Sequence, residues 1–525
     1  MRNFLTTLQS RLLARLLNPY GLFGIILFVG STSYTIWLWQ EQKNYNYPAP
    51  VWVHVLGTLL LLFLLAITSD LFVRGINISI TATYSPPENE VIMPETLTNP
   101  TILGLELLVE RWHLFCTDTR QSWILAEQFA ILQSVVEENY YGQDKVRLLK
   151  YFAGAKAKGG AFLIQVDNQP PRVLKFDSLT NIERELRRYK EYVAPHFNFT
   201  PGEPLQLKQR PRKMEGQAWG AVSYTFIGGD VHQVKQLQTF AEYFQDHDTT
   251  QVMSALAQLF NRLKPWWGMT MNDKVAGYDT RNPNLYIEYR RIESKYQQVE
   301  LGLREANQAL GGKIRSGISS YPTEISLGPD LACLNPFNWI GTRFRTHQLA
   351  WIEESRLRHD SMVHGDFHPG NLLISAGANQ VVDTWMIDFP HVHVGPTVQD
   401  IARLEAEIKF SLIADDVLEE LGPAGFYRLE SLCLPVSERP FPTFRDLTPG
   451  DLFALGTVHR EWDKVWQVVT VLRQTAKQYM SGNDARPYYL ALLHATLPIL
   501  YFRDRTPWQK LYAFVSSAVL CERLG

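Results

Sequence analysis

Apolar positions are concentrated near the amino-terminal end of this chain. Residues 21–39 form one uncharged apolar run, and residues 51–73 form a second run after a short polar segment. Each run approaches the roughly 20 residues that an α-helix needs to cross a bilayer. The first run has no small-x-small cleavage site, which disfavours the alternative of a signal peptide. The pattern predicts a hairpin of two transmembrane helices, preceded over residues 1–20 by a short amphipathic segment.

Basic residues near the ends of the two runs predict an orientation. Arg2, Arg11 and Arg15 precede the first run and Arg74 follows the second, whereas the intervening loop has Lys43 as its one basic residue. By the positive-inside rule, both ends of the hairpin face the cytoplasm. We therefore expect a multi-pass protein of the cell membrane whose remaining residues lie on the cytoplasmic side.

The periodicity changes along the rest of the chain. Residues 74–100 are rich in Pro, Thr and Glu without a sustained period, which is typical of a linker. Residues 101–229 begin with helical spacing and continue with short strand-like runs and one further helix. From residue 230 to residue 525 the spacing is mainly helical, with strand-like runs at residues 371–374 and 381–389. The pattern indicates an α+β chain with a β-rich part followed by a helix-rich part.

Composition narrows the class of protein. The 525 residues include 51 basic and 53 acidic side chains, so the net charge is −2 and no global basic footprint for nucleic acid is present. Cys116, Cys333, Cys433 and Cys521 lie far apart and form no CxxC motif. This spacing disfavours a disulfide framework and a zinc ribbon, and it fits a reducing compartment.

The segment that carries most chemical information is HGDFHPGN at residues 364–371. A strand-like run follows it, and Asp388 stands seventeen residues after Asn371 at the end of a second hydrophobic run. Phosphoryl transfer requires a carboxylate that accepts the proton of the attacking hydroxyl, and oxygen ligands that hold Mg²⁺ against the phosphates. Asp366, Asn371 and Asp388 meet these requirements, because hard oxygen ligands suit Mg²⁺. We therefore expect ATP and Mg²⁺ as cofactors, with a hydroxyl-bearing acceptor.

The same motifs resemble a known family. HGDFHPGNLL with a following IDF resembles the signature of the aminoglycoside phosphotransferase/choline kinase-like branch of the protein-kinase-like fold. More narrowly, VLKF, NIEREL, YTFIGGD and QDIARLE resemble segments of bacterial kinases called ternary complex associated domains. These segments cover roughly residues 145–230 and 355–410. The resemblance implies a bilobal protein-kinase-like fold, with a small β-rich lobe at residues 101–229 and a helix-rich lobe at residues 230–525.

The resemblance also implies a role for each residue of the catalytic loop. Asp366 would be the catalytic base, Asn371 and Asp388 would be the magnesium ligands, and Asp400 would support the loop. Pro390 stands in the metal motif where many kinases have glycine, and proline removes an N–H and fixes φ. This departure puts in doubt any switch that flips the loop.

The upstream part of the resemblance implies a clamp for ATP. Lys175 lies in a strand-like run and would pair with the α and β phosphates. Glu185, ten residues later in the following helix, would hold that lysine. Glu183 is an alternative partner, but Glu185 fits the family pattern and shares a helix face with Tyr189.

Two further segments would complete the nucleotide site. The turn at residues 154–160, which includes Gly159 and Gly160, would cover the phosphates with backbone N–H groups. Considered alone, this turn is equally typical of a plain hairpin. Tyr224 would begin the hinge between the two lobes, beneath the adenine.

Two other interpretations account for part of the pattern. A di-metal phosphoesterase would use Asp366 with the histidines of the loop region, which are His364, His368, His391 and His393. No second group of Asp and Asn ligands stands upstream to support that interpretation. The other alternative is a membrane-tethered pseudokinase or signalling scaffold that binds nucleotide or a partner without turnover.

No motif in the sequence identifies the phosphoryl acceptor. Residues 282–312 predict one long amphipathic helix, which either frames the acceptor site or binds a protein partner. Such a partner could belong to a signalling or conflict system. A strongly acidic pocket for aminoglycosides is not evident, so antibiotic resistance is disfavoured.

Overall fold

The chain divides into two compact units, Met1–Met93 and Pro94–Gly525. The predicted hairpin and the predicted linker at residues 74–100 lie outside the described residues and stay predictions. Within the ranges given below, no helix has both the length and the apolar character required to cross a membrane. The computed structural model describes residues 101–104, 132–140, 143, 145–151, 160–195, 205–207, 213–214, 217–225, 237–268, 285–314, 322–328, 331–354, 360–376, 382–434, 460–480, 484–502 and 504–525.

A seven-stranded sheet forms the first part of the second unit. Its strand order is β1–β2–β3–β4–β7–β5, and β6 pairs with β7. The pairing of β1 with β2 is parallel, and the other pairings are antiparallel. The strands are β1 (Thr101–Leu103), β2 (Lys145–Tyr151), β3 (Gly160–Val166), β4 (Arg172–Ser178), β5 (Leu205–Gln206), β6 (Lys213–Met214) and β7 (Gln217–Thr225).

The two faces of this sheet bury different sets of side chains, because successive residues of a strand point to opposite faces. Phe162 and Leu174 belong to a core on one face. Leu163 and Val173 contact a second cluster, which includes Leu373 from the later part of the chain. Lys175 follows Leu174 and therefore lies on the face that points toward that later part.

The helix that follows β4 is Leu179–Arg188. Ser178 caps its first turn, since the Ser178 hydroxyl accepts from the Asn181 backbone N–H. The helix continues into a π-helical turn over Tyr189–Val193. Glu185 is 1% exposed, because the buried side of this helix packs against the sheet.

The remaining strands form three small sheets: β9 with β10, β11 with β14, and β12 between β8 and β13. After residue 230 the sequence predicts strand-like runs at residues 371–374 and 381–389, which contain most of β12 and β13. The strands are β8 (Leu237–Thr239), β9 (Glu324–Gly328), β10 (Leu331–Leu334), β11 (Asp360–Val363), β12 (Leu372–Ala376), β13 (Val382–Met386) and β14 (His393–Pro396).

Helices make up most of the chain after β8, as the sequence predicts. They pack into one continuous apolar core, which runs from Phe240 to Leu524 and also includes Tyr189 and Val193 from the earlier part of the chain. The helix bounds are Phe240–Asp246, Thr249–Trp267, Leu285–Glu288, Arg291–Ser294, Tyr296–Ala309, Pro336–Trp339, Ala350–Glu354, Val398–Ser411, Asp415–Cys433, Arg460–Lys477, Arg486–Thr496 and Pro507–Leu524, with a π-helical turn at Ile340–Phe344 and 3₁₀ turns at Pro369–Asn371 and Leu497–Tyr501.

The prediction of one long helix over residues 282–312 is wrong. The described part of this segment forms three helices, with breaks after Glu288 and at Lys295. Lys295 has φ −106° and ψ 7°, which departs from helical geometry, although its N–H still bonds to the Arg291 carbonyl. Buried apolar residues keep helical spacing through both breaks, so periodicity alone does not detect them.

Candidate active site

A buried ion pair joins β4 to the helix that follows it. Lys175 Nζ lies 2.7 Å from Glu185 Oε2, and the two side chains are 8% and 2% exposed. The Tyr224 hydroxyl donates to the other oxygen of the Glu185 carboxylate. Glu183 is exposed, so Glu185 is the partner of Lys175, in agreement with the sequence prediction.

Lys175 also contacts the predicted metal motif. Its Nζ lies 2.5 Å from Asp388 Oδ1. Asp388 follows β13 and has φ +71°, a left-handed conformation that non-glycine residues rarely adopt. The ring of the next residue, Phe389, packs edge-on against Tyr189 at a centroid distance of 5.8 Å. Two contacts therefore connect the Asp388 segment to the β-rich part of the chain.

The charges of this triad depend on one another. Burial disfavours charge on Lys175, but Asp388 and Glu185 outweigh burial and raise the pKa of the lysine above its ordinary value. Burial likewise opposes ionisation of Asp388, yet the Lys175 ammonium holds the pKa of Asp388 below its ordinary value. Burial raises the pKa of Glu185 to about 7, even though Lys175 acts in the opposite direction. The Lys175 ammonium thus lies between two carboxylates of different acidity, Asp388 with a lowered pKa and Glu185 with a raised pKa.

Asp400 holds the start of the loop between β11 and β12. Its carboxylate accepts from the His364 N–H at 2.7 Å and from the Gly365 N–H at 3.0 Å. Gly365 has φ +75°, and a Cβ at this position would lie 2.4 Å from the His391 carbonyl oxygen. His364 Nε2 lies 2.9 Å from the Ile387 carbonyl oxygen, so this imidazole braces the loop against the Asp388 segment.

Asn371 connects Asp366 to the same segment. Its side-chain Nδ2 donates to the Asp366 carbonyl at 2.9 Å, and its own carbonyl accepts from the Ile387 N–H at 3.0 Å. Since Nδ2 is the bonded end of the amide, Asn371 Oδ1 is left to act as a ligand. Asp388 likewise uses Oδ1 for Lys175, which leaves Oδ2. Two hard oxygens on adjacent segments fit a Mg²⁺ ion that completes its shell with phosphate oxygens and water.

Two of the histidines named in the di-metal interpretation, His368 and His393, have other bonds. His393 Nε2 lies 3.0 Å from Glu288 Oε1, and His368 Nδ1 accepts from the Gly370 N–H at 3.1 Å. In the part of the chain that the structure describes, no group of three or more His, Cys, Asp or Glu side chains is placed to hold a metal ion. The observed bonds account for these imidazoles as supports of the loop.

Asp366 stands beside a cavity that sequence reasoning missed. Its Oδ1 lies 3.3 Å from Arg403, and its Oδ2 lies 3.6 Å from His368 Nε2. The cavity has a volume of about 240 Å³. Its described lining consists of Arg291, Lys295, Gly365, Asp366, His391, Gln399, Arg403, His494, Ala495, Pro498, Tyr501 and Phe502.

Only one short sequence motif indicates a residue of this lining. Arg403 follows Asp400 by three residues in QDIARLE, which places the two on one side of a helix. No sequence motif indicates that Arg291 and Lys295 line the cavity, because the sequence predicts one continuous helix where the structure has breaks.

The remaining predicted site residues are only partly described. Gly159 lies outside the described residues, and Gly160 is the first residue of β3. Tyr224 lies in β7, where its hydroxyl contacts Glu185; the rest of the predicted hinge, residues 226–229, is outside the described ranges. The predicted roles of Gly159, Gly160 and Tyr224 in ATP binding therefore stay predictions.

Known structures and families provide comparisons for this geometry. A choline kinase from Cryptosporidium parvum is 13% identical over 72% of this chain and 88% of its own, with a TM-score of 0.34. An aminoglycoside phosphotransferase from Alicyclobacillus acidocaldarius is 10% identical over 72% of this chain and 89% of its own, with a TM-score of 0.28. A glucosamine kinase is 12% identical over 72% of this chain and 77% of its own, with a TM-score of 0.30.

No curated protein matches this chain. Residues 306–501 match the family model described as Ternary complex associated domain 9. This segment includes Asp366, Asn371 and Asp388. The family resemblance that the motifs predict, to ternary complex associated domains, is therefore confirmed over residues 306–501.

Proposed function

We propose that this chain is a Mg²⁺- and ATP-dependent phosphotransferase that moves a phosphoryl group to a hydroxyl. The observation that carries the proposal is the position of Lys175 Nζ, 2.7 Å from Glu185 and 2.5 Å from Asp388. A lysine held in this way presents a fixed positive charge where the β-rich and helix-rich parts meet. Phosphoryl transfer depends mainly on such positioning and charge neutralisation.

Each residue of the cluster has a distinct task in this proposal. Lys175 binds the α and β phosphates, and Glu185 keeps the lysine extended. Asn371 and Asp388 hold the metal, which when bound neutralises charge on the phosphates. Asp366 orients the acceptor hydroxyl and accepts its proton.

We further propose that residues 21–39 and 51–73 anchor the protein in the cell membrane, with the catalytic part on the cytoplasmic side. The apolar runs and the basic residues that flank them support this location. Protease digestion of sealed and of inverted vesicles, followed with antibodies against the catalytic part, tests it. We expect the protease to digest the catalytic part only in the vesicles whose cytoplasmic face is on the outside. Equal digestion in both orientations would contradict it.

The activity is tested on the full-length chain by calorimetric titration with ATP, with and without Mg²⁺. We expect Mg²⁺-dependent binding that Asp388→Asn abolishes and that Asp366→Asn preserves. Turnover, measured as ADP release, should fall by roughly 10²–10⁴-fold in Asp366→Asn, the usual contribution of a general base. Asp416→Asn, which changes an exposed carboxylate, serves as the control. A folded chain that binds no ATP in the presence of Mg²⁺ would overturn the proposal.

The second candidate is a nucleotide-binding scaffold without turnover. One contact favours it: the Asp388 carboxylate, proposed as a metal ligand, is directly bonded to Lys175. In a scaffold, Asp366→Asn would leave both nucleotide binding and the basal rate of ADP release unchanged. In a phosphotransferase the same substitution preserves nucleotide binding but lowers the rate of ADP release.

A further inference from the structure

The cavity beside Asp366 has an unusual charge for a site that receives an alcohol. Its described lining includes three basic side chains, those of Arg291, Lys295 and Arg403, and one carboxylate, that of Asp366. Arg403 lies on the helix Val398–Ser411 and the other two cations lie on the short segment that precedes Tyr296–Ala309. The positive side chains therefore come from two separate elements and meet at one cavity.

Not all of these charges are balanced within the protein. Arg403 lies 2.8 Å from Glu407 and 3.3 Å from Asp366, so it is paired. Arg291 and Lys295 form no ion pair with any residue in the described part of the chain. Among the described lining residues, the cavity consequently has two cations, Arg291 and Lys295, that no carboxylate balances.

The other titratable groups around the cavity do not cancel this excess. Burial, together with the neighbouring Arg291, lowers the pKa of His494 to about 3, so this imidazole is neutral. Burial also lowers the pKa of His391, despite the opposing effect of the nearby carboxylates. Glu288, a carboxylate close enough to His494 to act on its pKa, is bonded to His393.

Two polar atoms of the lining lack partners. Gln399 is 8% exposed, and its Oε1 has no hydrogen-bond partner among the described residues. The same holds for His494 Nε2. A buried acceptor without a partner costs free energy, so these atoms are suited to bind polar groups of a ligand. Pro498 and Phe502 complete the lining with apolar surface.

On the basis of the phosphotransferase activity proposed above, we infer that the acceptor is a small alcohol that also carries an anionic group, a phosphate or a carboxylate. Arg291 and Lys295 bind the anionic group, and the hydroxyl lies against Asp366. A volume of about 240 Å³ holds a small molecule or a headgroup. An alcohol with a quaternary ammonium would meet two unpaired cations and is disfavoured.

The reaction at this site is balanced by the residues and substrates already named. The acceptor oxygen forms a bond to the γ-phosphorus of ATP while its proton passes to Asp366. The bond between the γ-phosphorus and the β–γ bridging oxygen breaks, and ADP leaves with that electron pair. The products are ADP and a phosphate ester that retains the original anionic group.

Four probes test the inference on the full-length chain: glycerol 3-phosphate, glycerate, glycerol and choline. Vesicles that contain phosphatidylglycerol form a fifth arm, which distinguishes a lipid headgroup from a free anion. Binding is measured by calorimetry in the presence of ADP and Mg²⁺, and turnover is measured as probe-dependent ADP release from ATP. We expect the anionic probes to bind and glycerol and choline to bind at least about tenfold more weakly.

The double variant Arg291→Gln/Lys295→Gln identifies the site. We expect it to weaken binding of the anionic probes by about tenfold or more and to leave Mg²⁺–ATP affinity unchanged. Arg290→Gln is the matched control, because Arg290 is an exposed arginine next to Arg291 that does not line the cavity. A second variant, Arg291→Glu/Lys295→Glu, should shift the preference toward choline.

The outcomes separate this inference from the activity on which it rests. If Mg²⁺–ATP binds but no anionic probe binds, or if the double variant binds the anions as well as the wild type does, the inference is overturned and the phosphotransferase stands. If the folded chain does not bind Mg²⁺–ATP, the proposed function is overturned and the inference falls with it.

Discussion

Lys175 and Asp388 are 213 residues apart in the chain, yet the lysine ammonium lies 2.5 Å from the aspartate carboxylate. The contact joins the central strand of the first sheet to the segment that follows β13. Glu185 bonds to the same ammonium at 2.7 Å. The geometry of the candidate site therefore depends on how the β-rich part packs against the helical part.

Removal of the Lys175 charge should lower the free energy of unfolding, because Lys175 neutralises buried carboxylates. Lys175→Met leaves the buried Glu185 carboxylate without its cation, and breaking a buried ion pair in this way costs about 3–5 kcal/mol. Lys175→Met/Glu185→Gln removes both charges and should cost less than the sum of the two single changes. Urea unfolding of the wild type, Lys175→Met, Glu185→Gln and the double variant measures the free energy of unfolding of each. We expect the coupling energy between the two changes to be about 0.5–3 kcal/mol.

Lys190→Met is the control for loss of a lysine, because Lys190 is exposed. It should change the free energy of unfolding by no more than about 0.5 kcal/mol. Strict additivity of the Lys175 and Glu185 changes would contradict the contact between their side chains.

Gly365 should tolerate no side chain. Gly365→Ala places a Cβ at φ +75° and 2.4 Å from the His391 carbonyl oxygen, so both backbone strain and a steric clash oppose it. Gly311→Ala is the matched control, since Gly311 has φ +70° with no atom within 4 Å of the added Cβ. We expect Gly311→Ala to cost about 1–2 kcal/mol and Gly365→Ala to cost clearly more. Equal losses on urea unfolding would show that the His391 carbonyl moves away freely.

Asp400 should protect two backbone amides of the loop. In Asp400→Asn one carboxylate oxygen becomes an N–H₂ group, so the N–H of His364 or of Gly365 loses its acceptor, at a cost of about 1–3 kcal/mol. Hydrogen exchange followed by mass spectrometry should then become faster in the peptides that contain these residues. Asp416→Asn, on the exposed start of another helix, should leave exchange there at the wild-type rate. Unchanged protection in Asp400→Asn would rule out this role.

Glu185 should make stability depend on pH near neutrality. Burial raises its pKa from 4.5 to about 7, so the folded chain binds this proton more tightly than the unfolded chain does. The resulting stabilisation is complete below pH 4.5 and is lost as the pH rises through about 7. From pH 5 to pH 8, the wild type should therefore lose free energy of unfolding relative to Glu185→Gln. Urea titrations at several pH values measure the difference, and parallel profiles would contradict the raised pKa.

Sequence reasoning succeeds where the interacting residues are close in the chain. Asn371 follows Asp366 by five residues, and the loop and hairpin that separate Asp366 from Asp388 are short, so the spacing of residue types already indicates their proximity. Lys175 and Glu185 are ten residues apart across one strand-to-helix connection, which likewise limits their separation. In these cases local hydrogen bonds and short connections restrict the geometry before tertiary packing does.

The break at Lys295 illustrates where such reasoning fails. The buried apolar residues of this segment keep helical spacing across the break, so no pattern marks it. The break lies among the residues that bring Arg291 and Lys295 to the cavity. The position of a cation at a cavity depends on the path of the backbone, and periodicity does not contain that path.

By itself the sequence determined the α+β class, the catalytic-loop motif, the Lys175–Glu185 pair and the family resemblance, because each depends on residue types at short separations. Tertiary structure alone decided that Lys175 reaches Asp388 and that Arg291, Arg403 and Phe502 line one cavity beside Asp366. Lys175 and Asp388 are 213 positions apart, and the cavity residues come from separate helices and loops of the later part of the chain. These contacts form only when the apolar faces of sheet and helices are buried together, and that packing is a property of the whole fold.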